Sequence, residues 1–214
     1  MSFQFHEASC VVAGTFNIYV FQPDFFVHTE IVEEGEKAKL QADFSQPGFL
    51  MSFLGSPIRW VIRPDRIMAE SRSEESDCGR MVANILKALP WTPISAIGLN
   101  FEFIASRDDF QTMNGRNLIP ATDLSLKVTQ RTVHVGIKEN GQLFNLSLAQ
   151  TDEKIVCAIN VHTDLKLADK TRLEVSTVAE GIARGFQAFR TKSVDLAREA
   201  FGVDIDYAND HDKY

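Results

Sequence analysis

The 214-residue sequence predicts an α+β protein: a predominantly antiparallel β-sheet built of hairpins, one short mid-chain helix, and one long C-terminal helix packed on the sheet. Three observations carry that reading. Asn140-Gly141 stands between two alternating apolar runs, and an Asn-Gly pair supplies the positive φ angles of a two-residue type I′ turn. Pro64-Asp65 separates two further strand-like runs, Ile58 to Arg63 and Arg66 to Ser71, with proline presetting φ at the first turn position. Thr171-Arg172-Leu173-Glu174 fits a capping box, in which hydroxyl and carboxylate each satisfy a backbone N–H at a helix start.

The first turn also sets a register. If Glu139 faces Gln142, then Ile137 faces Phe144, Val135 faces Leu146 and Val133 faces Leu148, so the apolar pairs share one face. A slip of one residue sets Val135 against Asn145 or Ser147 and exposes one strand's apolar set. A third strand follows the polar loop Gln150 to Lys154, with Ile155, Cys157, Ile159 and Val161 alternating with Val156, Ala158, Asn160 and His162. Beyond the capping box, apolar residues recur at Val175, Val178, Ile182, Phe186, Phe189, Leu196 and Ala200, and Ser193 fills the missing position. Gly202 is the expected cap. Over Arg172 to Phe201 the rise per residue gives a helix roughly 45 Å long. Gly181 and Gly185 lie inside it, each destabilising by about 1 kcal/mol relative to Ala, which predicts a strand or second helix packed closely there or a helix-to-helix contact between subunits.

Earlier in the chain, Ala8 to Phe21 is β-like, with Gly14 as a candidate bulge. Phe25 to Glu33 and Lys37 to Phe44 read as a hairpin through Glu34-Gly35-Glu36, its second arm alternating Ala38, Leu40, Ala42 and Phe44 with Lys37, Lys39, Gln41 and Asp43. Gly79 to Leu89 has helical spacing and ends at Pro90, and Ile94 to Ala105 is a strand with Ile97, Leu99, Phe101 and Phe103 on one side. The domain organisation expected is one domain over 1–214, with halves 1–105 and 122–202 joined by an irregular 106–121. An acidic tail, 203–214, follows.

Composition narrows the function classes. A net charge of −7 and a pI near 5.3 argue against a general nucleic-acid binder, whose affinity rests on clustered Lys and Arg. Sixteen Phe against three Tyr and two Trp predict a core built on phenyl packing. Cys10, Cys78 and Cys157 are odd in number and far apart, so neither a disulfide framework nor a zinc site is indicated, and reduced cytoplasm is the expected setting. The first residues lack a signal-peptide pattern, and no apolar run approaches the ~20 residues of a membrane helix.

Two stretches are candidate contact sites. Phe49-Leu50-Met51-Ser52-Phe53-Leu54 lies between Pro-Gly and Gly-Ser-Pro, and reads as a buried strand or as an apolar flap over a ligand or partner, through Phe49, Leu50, Met51, Phe53 and Leu54. Arg59, Arg63 and Arg66 gather near one hairpin and could hold an anion, or form a solvated face paired with Glu70. The hairpin register sets His134 opposite Ser147, but no carboxylate neighbours them to complete a triad. His28 and Glu30, placed on one strand face, form at most a two-ligand fragment. No catalytic residue, metal site or cofactor is assigned.

The order of elements resembles that of helix-grip ligand-binding domains and SecB-like chaperone domains. The likeness covers element order alone and implies no site residue. The expectation is a non-catalytic binding or assembly protein acting as a homo-oligomer, with a further protein partner as an option, because open antiparallel sheets leave edges to cover. The alternative is a binder or enzyme for a small apolar ligand held between the sheet and the C-terminal helix.

Overall fold

The computed structural model describes residues 2–42, 47–106, 131–151, 153–165 and 171–206. The expected irregular stretch, apart from Ser106, lies outside them, as do Asp43, Phe44 and residues 207–214. In chain order the elements are β1 (Ser2–Gly14), a 3-10 turn (Ile18–Val20), α1 (Pro23–His28), β2 (Ala38–Ala42), β3 (Phe49–Phe53), β4 (Ile58–Arg63), β5 (Arg66–Ser71) and α2 (Cys78–Ala88). Then follow β6 (Ile94–Ser106), β7 (Arg131–Glu139), β8 (Gln142–Gln150), β9 (Lys154–Asp164), α3 (Arg172–Arg184), α4 (Phe186–Phe201) and β10 (Asp204–Ile205). The architecture is α+β, as predicted.

All ten strands join one sheet in the order β2-β3-β4-β5-β1-β6-β9-β8-β7, antiparallel throughout, while β10 runs parallel to the first residues of β1. The central pair, β1 and β6, are two thirteen-residue strands. Outward from β1 lie β5, β4 and β3, and outward from β6 lie β9, β8 and β7. Each side is therefore a long strand, a three-strand meander and a helix, α2 on one side and α3 on the other. At the far end of the first side one more strand, β2, is added.

The hairpin registers follow the sequence. Glu139 pairs Gln142, Ile137 pairs Phe144, Val135 pairs Leu146 and Val133 pairs Leu148, with Asn140 at φ 49° and Gly141 at φ 80°. Around Pro64-Asp65, Ile58 pairs Ser71 and Arg63 pairs Arg66. Gly14 does lie at a register irregularity, and a second falls between Phe5 and Glu7. The alternation sends Ile97, Leu99, Phe101 and Phe103 of β6 and Ile155, Cys157, Ile159 and Val161 of β9 into the core.

Helices cover that face: α2 lies against β5 and β1, α3 against β6, and α4 against β9 and β8. Rings from both layers meet, Phe101 with Phe186 at 5.0 Å and Phe144 with Phe189 at 6.4 Å. At the other end Phe26 of α1 packs on Trp60 at 5.1 Å and on Phe53 at 5.4 Å. Among the described residues no helix is long and apolar enough to cross a membrane.

Several expectations are corrected. Phe25 to Glu33 is not a strand: Pro23 takes the first turn of α1 with Asp24 beside it, a start that favours helix over the β-propensity of Phe and Val. His28 and Glu30 therefore share no strand face. The partner of β2 is β3, Ala38 pairing Phe53 and Leu40 pairing Met51, so the hairpin through Glu34-Gly35-Glu36 does not form. The first strand begins at Ser2 and ends at Gly14, short of the β-like run to Phe21, because Asn17 caps a 3-10 turn. The start of the expected tail is ordered as β10, since Val203 and Ile205 bury their side chains.

The C-terminal helical stretch starts at the capping box and ends at Gly202 as read, but it is divided at Gly185, giving α3 and α4. Its interior glycines do not mark a close packing partner: a Cβ on Gly181 would meet nothing within 4 Å, and one on Gly185 would meet its own helix at Phe189 and Ile182. Close approach falls instead at Gly79 of α2, where a Cβ would stand 2.1 Å from the Ala183 carbonyl oxygen and 2.3 Å from the Phe186 Cβ. Only glycine lets α2 and α3 touch there.

Candidate binding site on the helix-free face

Because strand side chains alternate, every core residue has neighbours that point to the opposite face, which carries no helix among the described residues. In the middle of that face, four strands place polar residues in one row. Ser9 of β1 pairs Asn100 of β6, Asn100 pairs Asn160 of β9, and Asn160 pairs Asn145 of β8. The row is hydrogen-bonded in one direction. Asn145 Nδ2 donates to Asn160 Oδ1 at 3.3 Å, Asn160 Nδ2 to Asn100 Oδ1 at 2.7 Å, and Asn100 Nδ2 to Ser9 Oγ at 2.9 Å. Aligned dipoles of this kind strengthen one another. Gly136 of β7 stands next in the row, opposite Asn145.

The adjacent row reads Glu7, Glu102, Ala158, Ser147, His134 across the same five strands. The small Ala158 leaves a dip between larger neighbours, and the two rows line a recess of about 320 Å³. Glu7 and Glu102 face each other directly, an unfavourable like-charge pairing. Arg72 Nε lies 3.5 Å from Glu7, and His6 Nε2 lies 3.7 Å from Glu102. Both carboxylates keep outward faces, at 35% and 38% side-chain exposure. Asn100 and Asn160 each commit one N–H and one carbonyl lone pair to their neighbours and retain a second donor and a second lone pair, while Asn145 commits one N–H to the row. Donors and acceptors thus alternate along one wall, with carboxylate acceptors at one end and an exposed imidazole at the other.

The predicted opposition of His134 and Ser147 is present in the register. Ser147 Oγ, however, donates to the Ala158 carbonyl at 3.3 Å, so its proton is engaged by backbone. Glu102 is two strands away from Ser147, too far to orient His134.

The two stretches singled out from sequence lie elsewhere. Phe49 to Phe53 is β3, paired on both sides, with Met51 and Phe53 in the core and Phe49 and Leu50 half-buried. Leu54, just past the strand, is 75% exposed. Arg59, Arg63 and Arg66 do share the helix-free face of one hairpin, with Arg63 opposite Arg66 at its closed end. The Arg59 guanidinium is ion-paired to Glu70, whose side chain is only 10% exposed, and the recess is two strands away. No sequence signal pointed to the amide row, because β1, β6 and β9 are brought together by pairings between distant segments.

The cysteines sit inside the core, all as free thiols. Burial pushes the Cys78 and Cys157 thiols up to about 12, with Asp77 adding to the shift at Cys78. Cys10 is raised as well, by burial first and then by Cys78 and Asp77. None is poised as a nucleophile.

Among the described residues, fold and site together define an α+β protein with one helix-covered sheet face and one uncovered, polar-centred face. No protein-family model matches the chain, and no curated protein sequence matches it.

Proposed function

We propose that this is a non-catalytic binding protein that works as a homo-oligomer and takes a polar, hydrogen-bonding ligand in the recess of its helix-free face. The observation that carries the reading is the one-directional amide row from Asn145 to Ser9, which offers paired donors and acceptors beside two carboxylates. That pattern suits a ligand rich in hydroxyl or amide groups, each of which both gives and accepts a hydrogen bond. An apolar ligand between sheet and helix finds less support, because phenyl rings from both layers fill that space. Three buried thiols suit a reducing, cytoplasmic setting.

Native mass spectrometry of the protein purified without added ligand, paired with its denatured mass, reads stoichiometry and any retained molecule together. In parallel, the side-chain amide resonances of Asn100, Asn145 and Asn160 are followed by NMR during titration with N-acetylglucosamine as a probe carrying hydroxyls and an amide. The expected result is a multimer whose three amide signals shift with dose, with a Kd on the order of 1 mM for so small a probe. Unmoved amide signals and no retained polar molecule would remove the recess from consideration.

A further inference from the structure

We infer that the recess is one end of a longer groove that takes a linear, mainly neutral glycan ending in an acidic group, with the acid held at Ser52 between Lys39 and Arg59. The inference rests on the polar-ligand reading above and names the class of that ligand. The polar row does not stop at Ser9. In register, Ser9 pairs Glu70, Glu70 pairs Arg59, Arg59 pairs Ser52 and Ser52 pairs Lys39, so one row of polar side chains crosses the sheet from β8 to β2. Two further recesses continue the one described above. A recess of about 290 Å³ shares Glu7 with it, and another of about 210 Å³ shares Arg59 with the second.

The chemistry changes along the row. At the amide end, Glu7 and Glu102 repel an acid and leave hydroxyl and amide groups as the fitting partners. At the far end the sign reverses, because Lys39 and Arg59 flank Ser52 in the row and line the same recess. Arg59 neutralises Glu70, yet its side chain is 57% exposed and keeps N–H donors beyond those that reach Glu70. A second row runs alongside: Leu50, Val61, Met68 and Val11, apolar and half-buried, each two residues from a polar member on the same strand. A groove with one polar and one apolar flank matches a pyranose ring, which carries hydroxyls on its edge and C–H groups on its faces.

Spacing selects the polymer. Neighbouring strands stand about 4.8 Å apart, and an extended 1,4-linked pyranose chain advances by close to that distance per ring, so successive rings meet successive strands. A polypeptide advances about 3.4 Å per residue and falls out of step with the row. A nucleic acid would set its phosphates against Glu7 and Glu102. From Ser52 on β3 to Asn145 on β8 there are six strand spacings, about 29 Å, which six rings span.

The test uses the intact protein and three probes: N-acetylglucosamine, chitohexaose, and chitohexaonic acid, the same hexamer oxidised at its reducing end to a carboxylate. Binding is followed by calorimetry and by the side-chain amide resonances of Asn100, Asn145 and Asn160. Chitohexaose should bind at least about tenfold more tightly than the monosaccharide. The acid should gain a further factor of about three to five, and lose it in about 1 M salt. Lys39→Gln, at an exposed position, should remove most of that gain. Equal affinity of hexamer and monosaccharide, with the amide signals still shifting, would overturn the groove and leave the recess standing. Equal affinity of the two hexamers would also overturn the inference, as would an advantage of the acid that survives both salt and Lys39→Gln. Hexaglycine, which ends in a carboxylate, binding as tightly as chitohexaonic acid would rule out a glycan as the class. Amide signals unmoved by all three sugars would sink the recess and the groove together.

Discussion

The two arms of the sheet share a plan and differ in how they are finished. In the first arm β2 covers the edge of β3, while α1 brings Phe25 and Phe26 over Phe21, Phe53 and Trp60. In the second arm β7 closes the strand order, its apolar side chains only half-buried, and the polar recess occupies the opposite face. One arm is finished by a further strand and by α1, and the other, among the described residues, ends its strand order at β7. A sheet repeated in outline can thus be finished differently at its two ends.

The largest effect should come from opening the sealed arm. Trp60 is fully buried against Phe26, and Trp60→Ala should remove about 3–5 kcal/mol in urea unfolding. A loss below about 1 kcal/mol would show that this arm is not the stable one. Next comes the seam between arms. Gly79→Val places carbon where the Ala183 carbonyl and Phe186 already stand, so α2 and α3 must separate, at about 3 kcal/mol. If its melting temperature matches wild type, the close contact is not maintained in solution. In the second arm, Thr171→Ala removes the hydroxyl half of the capping box that starts α3, leaving the Glu174 N–H without its acceptor, and should cost about 1 kcal/mol. An unchanged urea midpoint would argue against that cap.

A further effect is alkaline. Cys78 in one arm and Cys157 in the other hold their protons up to about 12, against an ordinary 9.0. Between those values the unfolded chain has released protons that the folded chain keeps, so stability falls as pH rises through the window. The urea midpoint should be lower at about pH 10.5 than at about pH 8, and Cys157→Ala should lessen the drop. Equal slopes in variant and wild type would mean that the Cys157 thiol does not contribute.

Legibility in the sequence followed the range of the interaction. The hairpins at Asn140-Gly141 and Pro64-Asp65 and the caps at Thr171 and Gly202 are local, and their registers and ends could be read residue by residue. The segment after Gln22 was misassigned because Pro23 suits both a turn and a first helical position, and aromatic content favoured strand. Gly79 drew no notice because its neighbour in space is more than a hundred residues away. The recess failed for the same reason. Asn145 and Asn160 lie on neighbouring strands, but Asn100 and Ser9 join them only through the pairings of β6 with β9 and β1.

The position of β1 has a mechanical consequence. Along much of its thirteen residues it is flanked by β5 on one side and β6 on the other, and its first residues also bond β10. A pull along its axis loads those ladders in shear, so many bonds must yield together. At the rim, the ladder that joins β7 to β8 can be peeled one pair at a time. Under tension the molecule should be stiff through its middle and yield first along the β7–β8 ladder.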